Sequence, residues 1–196
     1  MPLAGLFRRR QPARVCPACG TRLVPNATYC HGCGVRTDDP DAQPLHVGDR
    51  LTGLFNDRFL RPVLEDELAR AFRYGRALGV LLLEVEGETG TPDEQGRTLQ
   101  ALAGAVAGTL RDVDTPGVLG RNPPSIIALL PDTDASGTAH AAQRVLEAAT
   151  EALQPLGRGP LVGIVCVTWT KRLRAGEVIE AAGRALRSGR PELLGR

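Results

Sequence analysis

Asp49-Arg50-Leu51-Thr52-Gly53-Leu54-Phe55-Asn56-Asp57-Arg58-Phe59 marks the point where the sequence becomes regularly periodic. Leu60, Leu64, Leu68 and Phe72 follow at every fourth position with charged residues between them. That spacing predicts a helix over 57–78, ended by Gly79. The apolar run 80–86 predicts a buried strand. A second helix is expected over 93–111, with Leu99, Leu102, Val106 and Leu110 on one side. Two short strands near 117–120 and 125–130 flank the turn-like Asn122-Pro123-Pro124. Asp134 is placed to cap a third helix running to about Leu153. A β-branched strand over 160–170 and a helix over 176–187 close the chain. In that strand Cys166 reads as core, and parity puts Trp169 on the opposite face. After the first helix the order is β-α-β-β-α-β. This is an α+β, ferredoxin-like arrangement: an antiparallel sheet with helices expected on one face.

Upstream of Asp49 the text is of another kind. Residues 1–14 read as a disordered basic start, 15–36 hold four of the five Cys, and 37–48 form a polar linker with Pro40 and Pro44. The larger domain then runs over 49–190 and a tail over 191–196. The 196 residues are 42% hydrophobic and 23% charged with a net charge of +2, an ordinary globular composition. Residues 1–48 carry six Arg against three Asp, whereas the remainder is net −1. No apolar run approaches a membrane span, and Arg8–Arg10 follow the short apolar start, the reverse of a secretory signal. A cytoplasmic protein is expected.

Cys16-Pro17-Ala18-Cys19-Gly20 and Cys30-His31-Gly32-Cys33-Gly34 are two CxxCG knuckles with ten residues between them. Two thiolates three positions apart on a tight turn face one cation, and the Gly after the second Cys permits a left-handed backbone. Cys16, Cys19, Cys30 and Cys33 would thus place four sulfurs about 2.3 Å from one structural Zn²⁺, leaving no open position for water. About 22 residues bury too little apolar surface to fold alone, so metal binding should supply the folding energy. A disulfide framework does not suit a cytoplasmic chain. His31, within a knuckle, reads as a bystander. The segment resembles the short zinc-ribbon family, whose members are adaptors for proteins or nucleic acids.

The larger domain resembles the GGDEF, or diguanylate cyclase, family. Asp49–Phe59 is similar to its opening DxLTGLxNRRxF signature, and Arg61, Arg70, Arg73 and Arg76 lie in the helix corresponding to its first. Val80-Leu81-Leu82-Leu83-Glu84-Val85-Glu86 looks like its LLLDxD strand, and Ile126–Pro131 like the strand after the namesake motif. Residues 162–167 and 181–189 resemble its SIG strand and last helix. The resemblance implies that two GTP are joined around metal ions held by converging carboxylates. Here Glu84 takes the first carboxylate position, with Glu86 two residues on. At the second, counting back from Pro131 places Asn122-Pro123-Pro124-Ser125-Ile126 where GGDEF should stand. Both glycines and the carboxylate are absent, and Pro123 removes an amide donor. The guanine-reading Phe-Lys is Gly87-Glu88, and Arg97 stands where the family has Asp after Gly96. No catalytic residues are therefore expected, and Glu84 and Glu86 are either residual ligands or an exposed acidic edge.

Arg111-Asp112-Val113-Asp114 matches the family's inhibitory RxxD site, which implies a cyclic di-GMP site at Arg111 and Asp114. Seven residues separate it from Asn122 where the family has five, so an insertion around Pro116-Gly117 is expected to shift the loop. His46 and His140 have no triad partners at suggestive spacing, and the GETG segment lacks the Lys of a phosphate loop. Three functions remain: a non-catalytic regulatory adaptor for a protein partner, a cyclic di-GMP receptor, and a nucleic-acid binder led by the ribbon with Arg8, Arg9, Arg10 and Arg14.

Overall fold

In a computed structural model of the chain, residues 14–16, 21–38, 47–87, 90–121 and 123–195 are described, the side chain of Arg121 excepted. The Arg8–Arg10 start, Cys19, Pro40, Pro44, His46 and Asn122 lie outside the described residues. The chain divides into Met1–His46 and Val47–Arg196.

The first unit is built from one pattern used twice. Val15 pairs with Arg22, and fourteen residues on, Tyr29 pairs with Arg36. The Cys16 N–H donates to the Thr21 carbonyl (2.9 Å) as the Cys30 N–H does to that of Val35 (2.8 Å). Leu23 to Arg14 and Thr37 to Thr28 repeat at the same offset. The shared core is Cys16, Leu23, Cys30, Cys33 and Val35, far too small for apolar burial to hold a fold.

In the second unit α1 (Asp57–Tyr74) starts at Asn56, whose side chain accepts the Phe59 N–H at 3.0 Å. It ends at Gly75, not Gly79: Gly75 is left-handed (φ +66°) and its N–H closes on the Ala71 carbonyl. Gly79 is inside the sheet, opposite Leu130 and Cys166. The four-residue rhythm also overshoots the 3.6-residue turn, so Ala71 is buried where Phe72 was expected, and Phe72 is 46% exposed.

β1 (Leu78–Val85) leads to α2 (Pro92–Thr109), which opens on a capping box of Thr91 and Glu94. β2 (Thr115–Arg121) and β3 (Pro124–Pro131) form a hairpin, so Pro124 is strand and not turn. Asp134 caps α3 (Ala135–Leu153) by accepting the Gly137 N–H at 2.8 Å. β4 (Pro160–Val167) stops before Trp169, which lies in a turn where strand parity does not apply. After α4 (Ala175–Ser188) comes β5 (Glu192–Leu194), a strand too short to be legible; an Arg184–Glu192 fork at 3.0 and 2.8 Å accompanies it.

The sheet order is β2-β3-β1-β4-β5, antiparallel except for the parallel pair β4–β5. The α+β class and the βαββαβ order hold, but helices cover both faces. Leu81, Leu83, Val85, Ile126, Ala128 and Leu130 pack with α2 and α3. Leu78, Val80, Leu82, Ile127 and Leu129 pack with α1 and α4. β1 and β3 are thus apolar at both parities, as strands buried on two sides must be.

Candidate functional site

The sequence places its first candidate site at the β2–β3 hairpin. In the ladders of β1, Glu84 faces Ser125 of β3 on one side and Leu161 of β4 on the other. Glu84 is half-buried. Glu86 lies just past the strand, exposed, with its N–H bonded to the Gly159 carbonyl at 2.8 Å. Ser125 is 5% exposed, and its Oγ is 2.8 Å from the point where a Cβ on Gly120 would stand. The Ser125 hydroxyl thus packs close against β2 at Gly120. Asp and Glu are longer, and an ionised carboxylate buried without a partner costs far more than a neutral hydroxyl, so either would be driven toward its protonated form.

Among the described residues, a small enclosed space lies between the end of β1, the start of α2 and this hairpin. Val85, Gly87, Glu94, Thr98, Pro124 and Arg158 enclose about 10 Å³. That is room for about one water, against the roughly 300 Å³ at which ligand pockets begin. The Glu94 carboxylate is engaged with the Thr91 N–H (2.7 Å) and hydroxyl (3.1 Å). The Thr91 N–H, then its hydroxyl, hold Glu94 below the usual carboxylate range.

At the other end of α2, the Asp114 carboxylate is buried. It accepts the Arg111 backbone N–H at 2.9 Å and the guanidinium at 3.2 and 2.8 Å. The same guanidinium donates to Thr133 Oγ1 at 2.9 Å, and that hydroxyl donates to the Pro131 carbonyl. The carboxylate raises the Arg111 pKa above its ordinary value. Thr133 was not singled out by sequence, because it lies 22 residues from Arg111 and carries no charge. Pro116 and Gly117 sit in register with Ala128 and Ile127, and a bulge between Val118 and Gly120 absorbs the irregularity. An open cleft of about 700 Å³ runs past Arg111, lined also by Arg70, Tyr74, Arg76, Val113 and Asp132. Arg70 is tied to Glu67 at 2.5 Å and Arg76 to Asp132 at 2.7 Å.

In the first unit Cys16, Cys30 and Cys33 are buried, with ligand atoms within 4.8 Å of one another, close enough to bind a metal. Among the described residues this is the one such group of three or more His, Cys, Asp or Glu, so Glu84 and Glu86 belong to none. The Cys16 and Cys33 sulfurs are 3.7 Å apart. Sulfurs about 2.3 Å from a tetrahedral centre are about 3.8 Å from each other, whereas a disulfide requires about 2.05 Å. The Gly32 N–H points at Cys30 Sγ (3.3 Å), and Gly34 takes the left-handed turn (φ +76°) expected after the second knuckle. His31 is exposed and outside the cluster.

A five-stranded, mostly antiparallel sheet in this order, packed by α2 and α3 on one face and α1 and α4 on the other, defines the fold as α+β. The family model for the diguanylate cyclase GGDEF domain matches residues 46–192, and the chain belongs to that family. No protein with a curated description matches. Among solved structures, the diguanylate cyclase SiaD of Pseudomonas aeruginosa, in complex with its activator SiaC, is 26% identical. Its TM-score is 0.63, over 76% of this chain and 61% of that one, so this chain spans about three fifths of that relative. The DgcB GGDEF domain of Caulobacter crescentus, in complex with c-di-GMP, is 16% identical (TM-score 0.61, 75% and 92% covered). The FimX GGDEF domain of P. aeruginosa is 16% identical (TM-score 0.58, 76% and 98% covered). The latter two show likeness of fold alone. No helix among the described residues is long and apolar enough to cross a membrane.

Proposed function

We propose that the chain is a non-catalytic GGDEF protein of cyclic di-GMP signalling, a regulatory adaptor that works by binding a protein partner. The observation that carries this is the buried Ser125 opposite Glu84. A two-metal transfer needs carboxylates on both strand ends, and here one end has a hydroxyl packed against β2. A cytoplasmic location accords with such a role. A family relative, SiaD, is held in complex with a protein activator, which gives the partner reading a precedent at 26% identity. Incubation with GTP and Mg²⁺ or Mn²⁺ tests the absence of turnover.

The first unit acts here as a zinc ribbon, with Cys16, Cys19, Cys30 and Cys33 as the four ligands. Zinc supplies folding energy to a segment whose own core is five side chains. Metal analysis at one zinc per chain supports this, and a metal-free protein with the same melting curve refutes it.

A second reading has one observation in its favour. The cleft at Arg111 is open and of nucleotide size, and the Arg111 side chain is 51% exposed. A cyclic di-GMP receptor would use Arg111 and Asp114, with the guanidinium adding phosphate contacts to those with Asp114 and Thr133. Calorimetric titration with cyclic di-GMP decides it: no heat at high micromolar ligand removes this reading.

A further inference from the structure

The chain's single tryptophan, Trp169, stands 49% exposed in the turn between β4 and α4. Its Cδ1 is 3.9 Å from where a Cβ on Gly75 would be, so the indole lies over the turn that ends α1. Phe72 and Tyr74, in the last turn of that helix, are 46% and 60% exposed. The Arg73 guanidinium sits 5.4 Å from the Tyr74 ring centroid, in cation–π range.

Both segments that meet here are free of acidic residues. Residues 68–83 carry Arg70, Arg73 and Arg76, and residues 160–176 carry Lys171, Arg172 and Arg174. Glu67 and Asp132 answer Arg70 and Arg76, and Glu177 approaches Lys171 only at 3.7 Å. Arg73 and Arg172 make no salt bridge among the described residues. Leu173 is 6% exposed, so the loop turns its aliphatic side chain inward and shows water an aromatic ring and cations.

We propose that this surface binds single-stranded nucleic acid. Rings stand beside cations on both segments: the Arg73 guanidinium over Tyr74 at the end of α1, and Trp169 close in sequence to the exposed Lys171 and Arg172 in the loop. A single strand offers both partners, a π-face on every base and a phosphate at every step. An acidic peptide would use the cations and leave the flat rings idle. An anionic bilayer also takes interfacial rings beside cations, and phosphatidylserine vesicles are the control that separates it from a single strand. The surface lies in the second unit and owes nothing to the cysteine knuckles or the basic start.

Trp169 is its own reporter. The full chain is titrated with an oligothymidylate of about 16 nucleotides at low salt, and tryptophan emission is followed. Saturable quenching that weakens as salt rises is expected. In K171E/R172E, affinity should fall at least about tenfold, and the log–log salt slope should flatten by roughly 1.4, at about 0.7 per lost phosphate contact. Trp169→Ala, read by anisotropy of a labelled strand, should weaken binding roughly tenfold. Matched melting curves confirm that both variants fold. Three results would overturn the proposal: no quenching at high micromolar strand, binding indifferent to K171E/R172E, or equal quenching by polyglutamate or phosphatidylserine vesicles.

Discussion

Ser125 of β3 stands opposite Glu84 of β1 in the antiparallel ladder, with Gly120 of β2 on its other side. On the proposed reading this pairing is packed sheet where the family holds a metal, and it makes a definite prediction. Ser125→Glu puts a second carboxylate beside Glu84, at a buried position that lies against Gly120 of β2. Like charges directly opposite and an unpaired buried charge both oppose folding. A loss of about 1–3 kcal/mol in denaturant melts is expected, with no cyclase activity gained. A variant as stable as the parent would show that the tip is open.

Thiol counting separates the two kinds of cysteine. With metal bound, Cys16, Cys19, Cys30 and Cys33 should resist a thiol reagent, and a chelator should release four reactive thiols. Cys166, buried in β4, should appear only on unfolding. Burial, aided by the Asp134 charge, pushes the Cys166 thiol above its ordinary value. Its stabilising contribution is therefore complete below the unfolded-chain pKa. It is lost as pH rises from there through the folded pKa, because the unfolded thiol ionises first. Cys166→Ala should flatten the alkaline edge of the stability profile.

Asp114→Ala removes the acceptor of one backbone N–H and a guanidinium fork, from a side chain only 2% exposed. Arg111 can turn to water, so the expected cost is about 1–3 kcal/mol, read by chemical denaturation. An unchanged midpoint would mean that the fork does not hold the end of α2.

Gly163 of β4 lies against α4, and an added Cβ would meet the Ala182 carbonyl and the Leu186 backbone nitrogen, the latter at 2.7 Å. Backbone cannot yield as a side-chain tip can, so Gly163→Ala should cost about 1–3 kcal/mol and lower the melting temperature. Gly104→Ala, where nothing lies within 4 Å, should be neutral or slightly stabilising.

Much of this fold was legible in the sequence because its strands are long apolar runs and its helices begin with strong caps. Asp134, expected as an N-cap, is one, and Asn56 and Thr91 cap α1 and α2 in the same way. Phe72 misled because a strict four-residue rhythm drifts off the buried stripe. The two-sided sheet was written in the unbroken run of Leu and Val in β1, which a one-faced sheet would not need. Other features left no local trace. β5 is three residues stabilised by a distant arginine, Thr133 reaches Arg111 only through the fold, and Ser125 declares its packing only once Gly120 is seen beside it. The knuckles were readable from spacing alone, since metal ligands sit at fixed offsets, and the backbone hydrogen bonds repeat at the same fourteen-residue offset.

The central claim is that the hairpin tip no longer supports chemistry on GTP. Purified protein at high concentration, incubated with GTP and Mg²⁺ or Mn²⁺ and assayed by chromatography for cyclic di-GMP, tests it most directly. The expected chromatogram shows GTP unchanged and no cyclic product above a protein-free blank. A cyclic dinucleotide peak that grows with time and with protein would contradict the account.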